Sequence, residues 1–259
     1  MSEVSARPVS PSRSRLATRL SFLAAGLGYA AWAPLVPYAK ARLQVDEGTL
    51  GLLLLCLGAG SVLAMSLTGA LGARLGPRPM VLAAGLVMAA ALPVLAVAPT
   101  TLLQGLALFI FGGAVGSLDV AMNIHAVEVE KAAGRPLMSG FHGLFSIGAV
   151  AGAGLVTLLL STGLSPLASA LPAAAVAGAA IAIAGRFMIR VRADDGAPLF
   201  AVPRGVVLLL ALLAALTFLV EGAILDWSAL LIIEADMARV ELGGLGFMVF
   251  SLTMTVGRL

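Results

Sequence analysis

The sequence predicts an all-α membrane protein, and three observations lead to this prediction. Sixty per cent of the 259 residues are apolar and only 11% are charged, whereas soluble domains usually contain about a quarter of charged residues. The apolar residues form runs of about 20 residues, the length that crosses a hydrocarbon core about 30 Å thick. The Lys and Arg residues lie in separate short loops, so their small excess does not indicate a nucleic-acid partner.

Eight helices are predicted from the apolar runs between charged or Pro/Gly-rich breaks. The predicted ranges are 18–40, 49–72, 79–98, 101–126, 137–161, 166–188, 204–233 and 244–259. Residues 1–17, rich in Ser, Pro and Arg, are predicted to be a disordered cytoplasmic tail. Residues 18–189 then form an N-terminal six-helix bundle, 190–203 a polar cytoplasmic linker, and 204–259 the start of a C-terminal bundle.

The distribution of positive charge predicts the orientation. With the N-terminus inside, 13 of the 16 Lys and Arg residues lie on the cytoplasmic side, and only Lys40, Arg42 and Arg239 lie outside. Such a bias is typical of multi-pass proteins, whose cytoplasmic loops carry the positive charge. We therefore expect a monomer that spans the cytoplasmic (inner) membrane several times and has the lipid bilayer as its surroundings.

An internal repeat is found when the chain is shifted by 195 residues. Trp32 then falls on Trp227 and Gly51 on Gly246, and a second pair of glycines also matches. Related halves joined by a polar linker are typical of secondary transporters, with the substrate site between the halves. By the same shift a full second half would need about 130 residues beyond Leu259, so we interpret the chain as C-terminally truncated.

Three acidic residues lie inside predicted spans, Asp119 in the fourth and Glu221 and Asp226 in the seventh. Each costs about 2.5–3.5 kcal/mol at mid-membrane on insertion scales, so each must face a protein interior or a watery cavity. They are candidates for binding a substrate or a proton. The alternatives are that they only tie helices together by hydrogen bonds, or that Asp226 lies at the outer membrane interface beside Trp227.

Two further polar residues are expected near Asp119. Gly112, Gly116, Asp119 and Asn123 follow one another at three- and four-residue spacing, so they share one helix face. Asn123 is a candidate substrate ligand on that face. The fourth and fifth spans are joined by a short loop and are expected to be antiparallel neighbours, which allows His142 to pair with Asp119. The alternative is a neutral His142 that only supports the bundle.

The first span carries two amphipathic aromatic residues, Tyr29 and Trp32. Their depth suits stacking against a sugar or an aromatic substrate, although Trp32 could equally anchor the helix at the membrane interface. Gly148 and Gly152 are predicted to form a small-residue stripe for helix packing. His125, nearer the inner surface, is interpreted as structural.

Several motifs of catalytic proteins are absent from the sequence. It contains no Gly-rich loop that ends in Lys-Ser or Lys-Thr and therefore no ATP-binding motif. It also lacks the His-Glu-x-x-His and Gly-x-Ser-x-Gly motifs of proteases and esterases. Its one cysteine, Cys56, lies in an apolar run, and no cysteine or histidine cluster suits a metal. We therefore expect no enzymatic activity, no cofactor and no metal site.

The loop between the second and third spans resembles the cytoplasmic loop signature of the major facilitator superfamily. It runs from Gly69 to Arg78 and includes Arg74 and Gly76. Ala73 stands where the signature has an acidic residue, which weakens the expectation of a charge latch there. The resemblance implies a major-facilitator-type helical bundle, with one complete six-helix half and about two helices of the second half.

Within that superfamily the chain resembles the fucose-permease-like branch. The segment 118–123 in the fourth span is similar to that branch's acidic-plus-Asn segment, whose acid is implicated in proton-coupled sugar uptake. Segments 138–148 and 221–228 resemble motifs of uncharacterised members, and residues 255–259 resemble the start of the second-half loop signature. The fifth span lacks the Pro-Gly pattern of many drug antiporters, which favours uptake over export.

Together these features favour a secondary active transporter. It would move a small solute, such as a sugar or a related metabolite, with protons across the cytoplasmic membrane by alternating access. The alternatives are an exporter of small hydrophobic compounds and a non-transporting receptor or scaffold on the same fold. Transport predicts a polar cavity between the first, fourth, fifth and seventh spans, whereas a scaffold predicts that these positions are packed shut.

Overall fold

The computed structural model describes residues 10–189 and 204–258 of the chain, and the predicted all-α membrane fold is confirmed. Eight stretches are long and apolar enough to cross a membrane. The helices are α1 (Pro11–Ala30), α2 (Val36–Leu43), α3 (Glu47–Leu75), α4 (Pro77–Val97), α5 (Thr101–Ala133), α6 (Met138–Ser161), α7 (Pro166–Phe187), α8 (Val206–Glu234) and α9 (Leu245–Arg258), with 3₁₀ turns at Ala33–Leu35 and Val240–Leu242.

The first span consists of two helices with a break between them. It runs over Pro11–Leu43, and α1 and α2 are separated by the turn Ala33–Leu35. Pro34 and Pro37 lie at this break, where their missing N–H groups prevent a continuous helical ladder. The residues of the break are fully buried, so the bend lies inside the protein rather than in a loop.

The predicted disordered tail is wrong for its second half. Helix α1 begins at Pro11, seven residues before the predicted start at residue 18, and Ser14 and Ala17 are buried in the bundle. The guanidinium of Arg13 lies 5.8 Å from the ring centre of Phe187 at the end of α7. The helix continues past the apolar run because its polar end still packs on protein. Residues 1–9 and the predicted linker lie outside the described residues.

Helix α1 is central to the first half of the chain, which here means residues 10–189. It packs mainly against α6 and α7, while α5 packs against α3 and α4. A Cβ added at Gly148 or Gly152 would overlap the carbonyl oxygens of Leu23 and Leu27, so only glycine allows α6 to approach α1 this closely. The predicted packing stripe is confirmed.

The connections between the spans define two ends of the bundle. At the Lys40 end, the guanidinium of Arg42 donates to the carbonyl oxygens of Leu95 (3.0 Å), Ala96 (2.6 Å) and Ala98 (3.1 Å) at the end of α4, and to Oε1 of Gln104 (3.0 Å). These bonds satisfy carbonyl groups that a helix terminus leaves unpaired.

At the opposite end, called the Arg78 end, Nε of Arg78 donates to the carbonyl oxygen of Gly185 near the end of α7 (2.7 Å). Gly76 separates α3 from α4 with φ 76, a conformation that favours glycine. The loop signature therefore makes a tight turn that Arg78 fixes to α7. The side chain of Arg74 is outside the described part, and Gly69 has open space beside it.

His125 is also a structural tie at the Arg78 end. It is fully buried, and its Nε2 accepts a hydrogen bond from the backbone N–H of Ile189 at 3.0 Å. Its Nδ1 lies 3.1 Å from Oγ1 of Thr18, which in turn donates to the carbonyl oxygen of Ser14. The geometry agrees with the structural interpretation of His125.

The second half of the chain, residues 204–258, contacts the first half near the Lys40 end. Helix α8 is exposed from Val206 to Val220, whereas Leu225, Ala229 and Leu230 in its second part are buried. Helix α9 packs along α6, and α8 also contacts α2. Within the described residues the two halves are thus close at the Lys40 end and separate along the first part of α8.

Candidate functional site

Tyr29, near the end of α1, is the meeting point of the predicted polar residues. The carboxylates of Asp119 from α5 and of Glu221 and Asp226 from α8 are all close enough to its hydroxyl to act on it electrostatically. Acids that lie about 100 residues apart in the sequence therefore come near one aromatic side chain. Because α8 belongs to the second half and α1 and α5 to the first, this cluster lies between the halves.

Asp119 and Asn123 form one polar unit on α5. The amide Nδ2 of Asn123 donates to the backbone carbonyl of Asp119 (2.9 Å) and to its carboxylate Oδ1 (3.2 Å). The two residues are one helical turn apart, so this contact needs no distortion of the helix. An incoming ligand would meet the carboxylate and the amide together.

His142 lies on the other side of Asp119, close enough for their charges to interact. Its Nδ1 lies 3.0 Å from the carbonyl oxygen of Met138. A carbonyl can only accept, so Nδ1 carries a proton and donates it to Met138. The ring of Phe22 meets the imidazole edge-on at 5.1 Å, which fixes its plane.

The expectation that the fourth and fifth spans are packed neighbours is wrong. Helix α6 packs on α1 and α9, and it makes few contacts with α5. The glycine stripe is the physical reason, because it brings α6 against α1 and leaves α5 to pack on α3. Asp119 and His142 therefore lie near each other although their helices do not pack tightly.

Trp32 and Asp226 place a buried donor and a buried acceptor side by side. Trp32 has no exposed surface, which excludes a membrane-interface anchor. Its indole N–H faces the carboxylate of Asp226 closely enough to act on it as a donor, but the contact lacks good hydrogen-bond geometry, and Nε1 of Trp32 and Oδ1 of Asp226 have no other partner among the described residues. Buried polar atoms normally have partners, so this pair is suited to a polar group that enters from outside.

The position of Asp226 also excludes the interface alternative for this residue. Its neighbour Trp227 is 37% exposed and lies against Gly51 of α3, whereas the Asp226 carboxylate points inward to Trp32. The two tryptophans matched by the repeat therefore both reach across the halves. Trp32 of the first half meets Asp226 of the second, and Trp227 of the second half meets Gly51 of the first.

The candidate residues are not packed shut. Six of them are partly exposed, and only Trp32 is fully buried; the six are Tyr29, Asp119, Asn123, His142, Glu221 and Asp226. They lie on α1, α5, α6 and α8, the helices between which transport predicts a polar cavity.

Sequence reasoning missed two phenylalanine rings that pack near Tyr29. The rings of Phe145 (α6) and Phe247 (α9) lie 6.3 and 6.4 Å from the ring of Tyr29. Phenylalanine is common in membrane helices, so neither residue gives a signal in the sequence. Lys40, which joins the two halves by an ion pair with Glu234, was also missed, although the 195-residue shift places Lys40 on Ala235, next to Glu234.

Comparison with known proteins gives relatives along nearly the whole chain. The Major Facilitator Superfamily profile matches residues 20–259. An uncharacterised MFS-type transporter of Yersinia pestis is 48% identical over 247 residues, which are 95% of this chain and 64% of the relative. The uncharacterised transporter y4wD of Sinorhizobium fredii is 34% identical over 242 residues, covering 92% of this chain and 64% of the relative.

A third relative is the membrane protein MosC of Rhizobium meliloti, 30% identical over 249 residues, which are 94% of this chain and 60% of that protein. The chain thus spans less than two thirds of the length of these curated relatives. None of their names specifies a substrate, and the resemblance to the fucose-permease-like branch stays a prediction. The profile match and the identities show that the chain belongs to the major facilitator superfamily.

Proposed function

We propose that the full-length protein is a secondary active transporter that moves a small polar solute across the cytoplasmic membrane by alternating access. The observation that supports this most directly is the loosely paired donor and acceptor, Trp32 Nε1 and Asp226 Oδ1, buried between the two halves. A site between halves is where a solute can be released to either side in turn. The names of two relatives, both transporters, agree with this proposal.

The side chains around Tyr29 and Asp226 favour a sugar or a related metabolite as the substrate. Trp32 offers a donor and Asp226 an acceptor, and the rings of Tyr29 and Phe247 supply apolar faces. Hydroxylated rings need this combination, since they present donors and acceptors at the edge and C–H groups on the face. A small hydrophobic compound would leave this donor and acceptor with only their loose contact to each other, whereas a hydroxyl group could bond to both.

Asp119 is the proposed proton carrier. A carboxyl group inside a membrane span is costly when charged, and its affinity for a proton changes when water gains or loses access to it. Asn123 holds the carboxylate on one side and His142 faces it on the other. A proton that binds at Asp119 would thus change the charge beside the substrate, which couples the two ligands.

The experiment that tests the proposal is a solute screen with the full-length protein in proteoliposomes. Sugars, sugar acids and polyols are compared with hydrophobic cations, with and without an imposed proton gradient. We expect gradient-dependent accumulation of one class of polar solute. Accumulation only of hydrophobic compounds would support the exporter alternative. If no solute is taken up and none changes the protein fluorescence, the result would support a receptor or scaffold that does not bind the tested solutes.

A further inference from the structure

Lys40, near the end of α2, is shared by two carboxylates from different halves of the protein. Its Nζ lies 2.6 Å from Oε1 of Glu47 at the start of α3, and 3.1 Å from Oε1 of Glu234 at the end of α8. The Lys40 side chain is 21% exposed, whereas the two glutamates are 65% and 58% exposed. One ammonium is therefore shared by two carboxylates at the same end of the bundle, and the three groups together keep a net negative charge.

The two pairs differ in what they connect. Only three residues, Gln44 to Asp46, separate α2 from α3, so Glu47 stays near Lys40 whatever the second half does. Glu234 belongs to the second half, and the 195-residue repeat places Lys40 beside it, at nearly equivalent points of the two halves. The Lys40–Glu234 pair consequently crosses the line along which the halves separate.

Next to this ion pair, the second part of α8 is in contact with α2 and with the turn Ala33–Leu35. Leu230, one turn before Glu234, is only 6% exposed. Together with Pro37, Lys40 and Val240, it lines a cavity of about 570 Å³ that is broadly open to the surface at this end. The first part of α8, towards the Arg78 end, is exposed instead. Within the described residues, the ion pair thus lies over the region where the halves are in contact.

We propose that Lys40 is a two-partner latch in which Glu47 weakens the hold of Glu234. While the Lys40 end is closed, both carboxylates share one ammonium and repel each other. When it opens, Lys40 leaves Glu234 but keeps Glu47, so the cation is never left without a partner. The latch therefore resists opening only weakly. This inference rests on the proposed alternating access and adds a named device to it.

Removing Glu234 and removing Glu47 should have opposite effects on the opening of the Lys40 end. Glu234→Gln removes the crossing pair and should favour opening. Glu47→Gln removes the repulsion between Glu47 and Glu234 in the closed state. It also removes the partner that Lys40 keeps in the open state, so it should favour the closed state. Exposed ion pairs contribute little, so we expect each change in the open population to be about two- to fivefold. A residue that only stabilised the fold would not give changes of opposite sign.

The test measures the rate at which a water-soluble maleimide labels a cysteine at Leu230 in the full-length protein, with its native cysteines replaced, in lipid nanodiscs. Nanodiscs leave both faces in water, so the result depends neither on orientation nor on a substrate. Labelling should become faster in Glu234→Gln and slower in Glu47→Gln. In 1 M salt it should rise in the wild type and change little in Glu234→Gln, because salt screens exposed pairs.

Three controls accompany the measurement. Glu128→Gln removes the pair Glu128–Lys131 (2.9 Å) within α5 at the other end and should leave the rate unchanged. A cysteine at the exposed loop residue Thr162 should label at the same rate in every variant. A cysteine at Ile233, which also lines the cavity, replaces the first reporter if that one folds poorly.

The proposal is overturned if both glutamate variants change the rate in the same direction, or if Glu234→Gln leaves it unchanged at both reporter sites. A failed solute screen with the expected labelling pattern would reject the proposed transport function and leave the latch intact. Normal transport with unchanged labelling would reject the latch alone.

Discussion

Replacing Arg42 with methionine should destabilise the protein strongly, although the residue lies at the surface end of the bundle. Methionine keeps much of the side-chain length but loses the four hydrogen bonds to Leu95, Ala96, Ala98 and Gln104. Gln104 is 1% exposed and its Nε2 already has no partner among the described residues. Its Oε1 would therefore lose a partner that water cannot easily replace.

The magnitude follows from these contacts. An unsatisfied buried group costs about 1–3 kcal/mol, and hydrogen bonds to charged groups contribute about 1.5–3 kcal/mol. Because Arg42 is partly exposed, water can replace some of the bonds to the helix carbonyls. We therefore expect a loss of about 2–4 kcal/mol in the free energy of unfolding, which corresponds to roughly 4–7 °C in melting temperature for a soluble protein of 259 residues and to less for a longer chain.

The assay is thermal unfolding of the full-length protein in detergent, followed by intrinsic fluorescence. Arg239→Met at the same end is the matched control, since Arg239 is 77% exposed and its one ion pair, with Glu241, is 3.6 Å long. The control should change the free energy of unfolding by no more than about 0.5 kcal/mol. Equal melting temperatures of the two variants would refute the view that Arg42 caps α4.

Three further outcomes are expected. In the full-length protein, Asp119→Asn should abolish accumulation of substrate against a gradient but leave exchange largely intact; accumulation near the wild-type level would remove Asp119 from the proton path. A cysteine at Thr162 should react with an impermeant reagent on intact cells and one at Arg135 should not, and the reverse pattern would invert the proposed orientation. Gly152→Ala should reduce the yield of folded protein severalfold because its Cβ meets a carbonyl of α1, whereas Gly58→Ala, with open space around it, should match the wild type in size-exclusion yield.

The helices were predictable because each crossing needs its own run of about 20 apolar residues. The errors lie at the Arg78 end, where α1 starts at Pro11 and α5 continues to Ala133 rather than ending at residue 126. Outside the hydrocarbon core a helix can continue with polar residues, such as the ion pair Glu128–Lys131 on α5. Hydropathy gives no sign of where such a helix stops.

The candidate site was predictable only in part, for a related reason. An acid in an apolar span is conspicuous because it is costly, so Asp119, Glu221 and Asp226 stand out in the sequence. Which helices lie beside them depends on packing, and the glycines of α6 do not specify which helix they meet. Phe247 is therefore found only in three dimensions. The repeat matches Lys40 with Ala235, next to Glu234, but a match between the two halves does not by itself predict that Lys40 and Glu234 are in contact.

The bonds around His125 run in one direction. The backbone N–H of Ile189 donates to Nε2, so the proton of the neutral ring sits on Nδ1 and points to Thr18, whose own hydroxyl hydrogen goes to Ser14. This one-way chain of donors anchors the backbone just beyond α7 to the start of α1. Ile189 is thereby fixed to the first half of the chain. Under the proposed alternating access, Ile189 would therefore move together with that half.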